Sequence, residues 1–227
     1  MYGKTSKSIP QKTLIIALET LILWASFYIL FQGGFQQLAA LFHWNVVDGN
    51  MTRRVVLFAF NCVVYLRMLI TMGYLLKREI PMEEALSVPF AFAVYYVGYA
   101  MLGFQTTLPL DWIDGVGIVL FLVGSFVNTF AELQRNAWKK DPQHKGVLYT
   151  EGLFGYSMHV NYFGDLLWVI GYAILTRNPY SAIIPVLIFC FFAFFNAPML
   201  DKYLAKKYGQ QFTEYSSKTK KFIPFIY

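Results

Sequence analysis

The sequence predicts an all-α fold: a polytopic membrane helix bundle of about six transmembrane helices with both termini cytoplasmic. Composition is the first ground. Of 227 residues, 57% are hydrophobic and 19% aromatic, while only 14% are charged, against roughly 25% in soluble domains. Phenylalanine alone occurs 22 times, a load that lipid can solvate and one water-facing domain cannot bury. Spacing is the second: the apolar residues fall in runs near the ~20 residues that cross ~30 Å of hydrocarbon. Charge placement, given below, is the third.

The first run, residues 13–31, follows Lys4, Lys7 and Lys12. It is longer than a signal-peptide core and lacks a small-residue cleavage site, so it is read as a retained span. The second, 55–76, stops at Lys77-Arg78 and Pro81. The third, 85–104, ends ahead of Pro109 and Asp111. The fourth covers 113–133. The fifth, 162–176, is short and is expected to begin inside the preceding segment. The sixth, 182–199, opens after Asn178-Pro179 and closes at a polar run from Asp201. Turn-forming residues thus punctuate every gap. Residues 1–110 form an N-terminal region of three spans. Residues 111–227 are expected to form a C-terminal region of three spans with a polar, basic cytoplasmic loop and tail.

With six spans the termini share one side. That side receives fifteen basic residues: Lys4, Lys7, Lys12, Lys77, Arg78, Arg135, Lys139, Lys140, Lys145, Lys202, Lys206, Lys207, Lys218, Lys220 and Lys221. The other receives Arg53, Arg54 and Arg177, and Arg67 lies within a span. Positive loops face the cytoplasm. The net charge of +6 is therefore matched to anionic headgroups, and no nucleic-acid partner is expected. Cys62 and Cys190 read as separate thiols. His43, His144 and His159 lack ligand spacing to carboxylates or cysteines, so no metal site is expected.

Charged residues at mid-bilayer mark a site or a pair, because each costs at least ~2.5 kcal/mol to insert. Asn128, Glu132, Arg135 and Lys139 step by 4, 3 and 4 and share one helix face. Asn161, Asp165, Trp168 and Tyr172 do the same. A third stripe holds Arg67, Thr71, Tyr74 and Arg78, and a fourth holds Asn61 and Tyr65. Glu19 stands alone in the first span, with an ion pair to Arg67 as its bland alternative. The cations Lys77, Arg78, Arg135, Lys139, Lys140 and Lys145 suit phosphates, and lipid headgroups equally.

The segment Gly152-Leu153-Phe154-Gly155-Tyr156-Ser157-Met158-His159-Val160-Asn161-Tyr162-Phe163-Gly164-Asp165 resembles the hallmark of the steroid 5α-reductase and sterol reductase superfamily. There a G-L-[FW]-x-Y stretch precedes [SR]-x-P-N-[YF]-x-G-[ED]. The ending, with Tyr208-Gly209, Phe212, Tyr215 and Phe222-Ile223-Pro224-Phe225, is similar to the closing segment of the same family. Met158 and Val160 depart from the pattern, as no Arg or Pro stands there. The chain looks one span shorter than the steroid enzymes and resembles a short bacterial-type branch.

The resemblance implies an enzyme that uses NADPH to reduce a carbon–carbon double bond of a steroid, sterol or isoprenoid. It implies cofactor contacts at Asn128, Glu132, Lys139, Asn161, Asp165 and Tyr208, and, through a matching cation pair, at Lys77 and Arg78. Arg135, Lys145, His159 and Tyr162 join that set from the cationic clusters and the motif. Tyr65 is the candidate proton donor and Glu19 the candidate partner of the substrate carbonyl. A cytoplasm-facing site in a bacterial inner membrane or endoplasmic reticulum is expected.

Two alternatives stand beside this reading. One is an S-adenosylmethionine-dependent methyltransferase resembling the isoprenylcysteine carboxyl methyltransferases, whose R-H-P-x-Y-x-G motif places His159 and Tyr162. The other is a non-enzymatic lipid-binding membrane protein.

Overall fold

A computed structural model describes residues 6–227, so Lys4 lies outside the described residues. Its named elements are helical, and Ser157 and Lys220 form an isolated bridge. Helix α1 is Ile9–Phe31, α2 Gly34–Leu41, α3 Met51–Ile70, α4 Met82–Ala93, α5 Tyr99–Gly103, α6 Trp112–Trp138, α7 Val160–Thr176, α8 Ile183–Phe191, α9 Ala197–Tyr208 and α10 Gln210–Lys218. Turns of π-helix at Thr71–Leu75, Val94–Gly98 and Phe192–Asn196 extend α3, join α4 to α5 and join α8 to α9.

Among the described residues, five continuous helical stretches are long and apolar enough to span a membrane: Ile9–Phe31, Met51–Leu75, Met82–Gly103, Trp112–Trp138 and Pro179–Tyr208. The short fifth run becomes Val160–Thr176, 17 residues long. Leu21, Trp24, Leu122, Phe126, Phe194 and Phe195 are exposed on these helices. Such a surface would be an aggregation liability in water and is the ordinary condition in lipid. The chain is an integral, multi-pass membrane protein.

Local chemistry sets the helix ends. The Asn50 side chain accepts from Arg53 N at 3.1 Å and caps α3. Glu83 and Glu84 sit in the first turn of α4, where the dipole favours acid. Pro89 lies within α4 and removes a backbone donor there. The π-turn at Val94–Gly98 follows five residues later.

Packing groups the residues into two compact units. The first comprises the chain up to Val119 together with Gly171–Ala182, and α1 packs there against α3 and α4. Its charged residues are inside. Arg53, 0% exposed, is ion-paired with Asp114, also donates to Asp114 Oδ2 at 3.1 Å and to Leu175 O at 2.5 Å. Arg177 binds the same carboxylate at 3.0 Å and pairs with Asp111. Arg54 lies 3.7 Å over the Phe104 ring and pairs with Asp48 at 3.1 Å. The three arginines assigned by sequence to the far side are thus all held by protein groups.

The second unit comprises Leu120–Ile170 and Ile183–Tyr227. Helices α6 and α7 cross in it at two glycines. A Cβ on Gly124 would lie 2.6 Å from Gly164 O, and one on Gly164 would lie 2.6 Å from Asn128 N. Only glycine permits that backbone approach, which brings the two polar stripes together.

Candidate functional site

In the second unit, the crossing sets Asn128 beside Asn161. Asn128 Nδ2 donates to Asn161 O at 3.1 Å, and Asn161 Nδ2 donates to Glu132 Oε1 at 3.0 Å. The other Glu132 oxygen pairs with Arg135, whose guanidinium lies 5.4 Å over the Phe154 ring. Asp165 Oδ1 accepts from Trp168 Nε1 at 2.7 Å. Four residues of the expected cofactor set, Asn128, Glu132, Arg135 and Asn161, therefore form one network at part-buried positions.

Lys139 follows α6 on the same stripe. Partial desolvation, with Arg135 and Lys207 nearby, pulls its ammonium down to about 8. Its side chain is exposed to water, and the two neighbouring cations add to the shift. Arg135 and Lys207 act on Lys139 as like charges, and Glu132, which Arg135 already engages, acts on it as an opposite charge. Tyr208 packs with Leu148, Met158, Phe212 and Tyr215, and Lys207 lies 5.1 Å over its ring. Tyr215 Oη donates to Phe154 O at 2.6 Å, pinning the loop that carries the motif. Lys145 is exposed on that loop.

His159 is fully buried, and its Nε2 lies 2.8 Å from Asp201 Oδ1. Lys221 Nζ pairs with Asp201 Oδ2 at 3.1 Å. The His159 ring stacks on Tyr162 with centroids 5.3 Å apart, and Tyr162 stacks on Phe192 at 4.7 Å. Ser157 Oγ donates to Phe222 O at 2.8 Å, and Met158 N and His159 N donate to Lys220 O and Lys221 O. The tail is thereby stitched to the motif. Sequence reading missed Asp201 and Lys221 in this role. They lie 42 and 62 residues from His159, and a charge at a helix end carries no mark of so distant a partner.

The remaining expected residues lie in the first unit. Tyr65 Oη is 2.7 Å from Thr20 Oγ1 on an exposed face. Glu19 is 0% exposed, and neither of its oxygens has a hydrogen bond meeting ordinary geometry. Its neighbour is Tyr96, which the sequence did not single out, and no ion pair joins Glu19 to Arg67. Nearby, Tyr172 Oη donates to Asn61 Oδ1 at 2.7 Å, and Asn61 Nδ2 donates to Ser26 Oγ at 2.5 Å. Tyr172 also stacks on Tyr99 at 4.9 Å. Arg78 is held bidentately by Glu84. Lys77 is exposed and lines a separate cavity with Lys7 and Lys12.

The three π-turns coincide with these places. One lines the Lys77 cavity, one carries Tyr96, and one carries Phe192. Such turns recur at functional sites. Among the described residues, no group of three or more His, Cys, Asp or Glu is arranged to hold a metal.

A family model described as "Protein of unknown function (DUF1295)" matches residues 86–219. Over 123 residues the chain is 28% identical to protein-S-isoprenylcysteine O-methyltransferase B of Arabidopsis thaliana, covering 51% of this chain and 61% of that protein. A protein of Oryza sativa subsp. indica named "Probable protein-S-isoprenylcysteine O-methyltransferase" is 24% identical over 211 residues, 90% of this chain and 95% of its own length. The 3-oxo-5-alpha-steroid 4-dehydrogenase 2 of Rattus norvegicus is 27% identical over 137 residues, 59% of this chain and 50% of the rat protein. The chain thus spans less than two thirds of the Arabidopsis and rat proteins. A solved eukaryotic intramembrane Ras methyltransferase, isoprenylcysteine carboxyl methyltransferase, superposes with TM-score 0.48 and 14% identity over 98% of each chain.

The named relatives are enzymes of two kinds, methyltransferases and a steroid dehydrogenase. The family match extends over more than half of the sequence, and the chain belongs to the DUF1295 family, within the steroid 5-alpha reductase superfamily.

Proposed function

We propose that the chain is an NAD(P)H-dependent membrane reductase acting on a carbon–carbon double bond of a lipid-like steroid, sterol or isoprenoid. The observation that carries this reading is the charge of the second unit: Arg135 and Lys207 lie near enough to act on Lys139, and Glu132 offsets Arg135 and Lys139. A dinucleotide brings several phosphate charges and fits that surplus, whereas S-adenosylmethionine brings a sulfonium cation. In this reading Arg135, Lys139 and Lys145 hold phosphates as forks and point charges. Asn128, Asn161, Asp165 and Tyr208 orient the cofactor. When bound, the cofactor supplies the hydride.

Within the first unit we keep Tyr65 as the candidate proton donor and Glu19 as the candidate partner of the substrate carbonyl, and add Tyr96 beside Glu19. Polar atoms buried without ordinary partners are costly, and a substrate oxygen is a group of the kind that would satisfy them. The surplus of basic residues on one side supports a cofactor site facing the cytoplasm.

One observation favours a methyltransferase instead. The buried His159 stacked on Tyr162 keeps the His-x-x-Tyr spacing of the isoprenylcysteine enzymes, and the rice relative aligns along 90% of the chain. Titrating the purified full-length protein with NADPH and with S-adenosylmethionine, read as thermal protection, separates the two. NADPH protection that Lys139→Ala and Asn161→Ala weaken is the expected result. Protection by S-adenosylmethionine alone would transfer the assignment to methyl transfer.

A further inference from the structure

The first unit contains a cavity of about 720 Å³ lined by Lys7, Ile9, Lys12, Met72, Tyr74 and Lys77, among others. Ligand sites commonly fall in the range of roughly 300–1,000 Å³. It sits at the start of α1 and beside the π-turn that ends the Met51–Leu75 stretch. Apolar helix gives way there to basic residues, as hydrocarbon gives way to headgroups. Its lining divides the same way, with Ile9, Met72 and Leu76 as an apolar floor and three lysines around it.

The mouth is built. Ser6 N donates to Lys77 O at 3.2 Å, and Ile80 N donates to the buried Ser8 Oγ at 3.0 Å. Ser8 is held at φ 40°, a left-handed conformation uncommon outside glycine, asparagine and aspartate. Two tethers and one strained residue therefore fix Lys7 opposite Lys77. Lys12 Nζ donates to Leu76 O at 2.6 Å, which turns its charge toward the same end of α3. Neither Lys7 nor Lys77 forms an ion pair among the described residues. Gly73 leaves its side open, since a Cβ there would meet nothing within 4 Å.

We propose that this cavity binds the phosphate headgroup of an anionic membrane lipid, with the acyl chains lying along the apolar floor and outward into the bilayer. Charge complementarity selects the headgroup, and position at the end of two spans selects a lipid over a soluble anion. The inference is independent of the activity proposed above.

The test uses the purified full-length protein in a neutral detergent, with melting temperature and native mass spectrometry as readouts. Phosphatidylglycerol is added in one arm, phosphatidylcholine in a second and inorganic phosphate in a third. Phosphatidylglycerol should raise the melting temperature and remain bound, while the other two do not. Each lysine replaced by glutamine at 7, 12 or 77 should weaken that binding roughly fivefold, from about one basic contact apiece. Gly73→Leu adds an apolar side chain at a lining position where a Cβ meets nothing within 4 Å, changes no charge, and should also reduce the shift. That variant keeps the test meaningful if a lysine variant fails to fold. Equal effects of the two lipids, full retention of binding in Gly73→Leu, or a phosphate effect matching phosphatidylglycerol would each overturn the proposal.

Discussion

Asn161 Nδ2 lies 3.0 Å from Glu132 Oε1, so the first turn of α7 donates a hydrogen bond to a carboxylate carried by α6. Charge-assisted hydrogen bonds of this kind contribute about 1.5–3 kcal/mol. Glu132 is part-exposed, so the lower end applies. Asn161→Leu should reduce stability by about 1–2 kcal/mol and weaken anionic-cofactor binding about tenfold or more, measured by thermal unfolding and titration. Unchanged affinity in a folded Asn161→Leu protein would remove Asn161 from the site.

Lys139 titrates near 8 in the folded chain, below the ordinary 10.5, through desolvation and its cationic neighbours. The unfolded chain therefore holds more protons between about pH 8 and pH 10.5, and folded stability should rise with pH across that window. Bound phosphate favours the ammonium, so anion binding should take up a proton near pH 8 and weaken as pH rises above it. Isothermal titration in two buffers of different ionisation enthalpy reads that uptake, and Lys139→Gln should abolish it. Proton uptake persisting in the variant would place the titrating group elsewhere.

Arg53 and Asp114 are both buried, and Arg177 shares the Asp114 carboxylate. Asp114→Ala strands the Arg53 guanidinium, which pairs with no other carboxylate among the described residues, and costs about 3–5 kcal/mol. Arg53→Met with Asp114→Leu should recover much of that loss, because neither charge is then left alone. A small effect of Asp114→Ala on unfolding in detergent would show that water reaches Arg53.

Gly164→Ala places a methyl group 2.6 Å from Asn128 N. Overpacking of this kind costs about 1–3 kcal/mol. It also pushes Asn128 away from Asn161 O, so affinity for the anionic cofactor should fall together with stability. Gly73→Ala, made in open space, serves as the matched control and should do neither.

The spans were legible because hydropathy reports where lipid begins and ends. It does not report where a helix ends. Residues 113–133 became Trp112–Trp138, because Asn128, Glu132 and Arg135 keep helical spacing while leaving the apolar zone. Residues 182–199 lie within the Pro179–Tyr208 stretch for the same reason, with Asp201 and Lys202 continuing a helix that hydropathy closes. The polar stripes were legible as stripes, since α-helical periodicity is local. Their partners were not. His159 with Asp201 joins residues 42 apart, and Glu19 with Tyr96 joins residues 77 apart, pairings that depend on how helices lie side by side.

The C-terminal half of α7 carries Tyr172, which hydrogen-bonds Asn61, and Leu175, whose carbonyl accepts from Arg53. Both partners, Asn61 and Arg53, precede position 86, where the family match begins. Cutting the gene at that boundary would release a polypeptide missing the groups its own middle segment was made to meet: a phenol with no acceptor and a carbonyl with no cation. The recognisable portion is thus a genealogical unit and not an autonomous folding one, and expression trials should retain everything upstream of it.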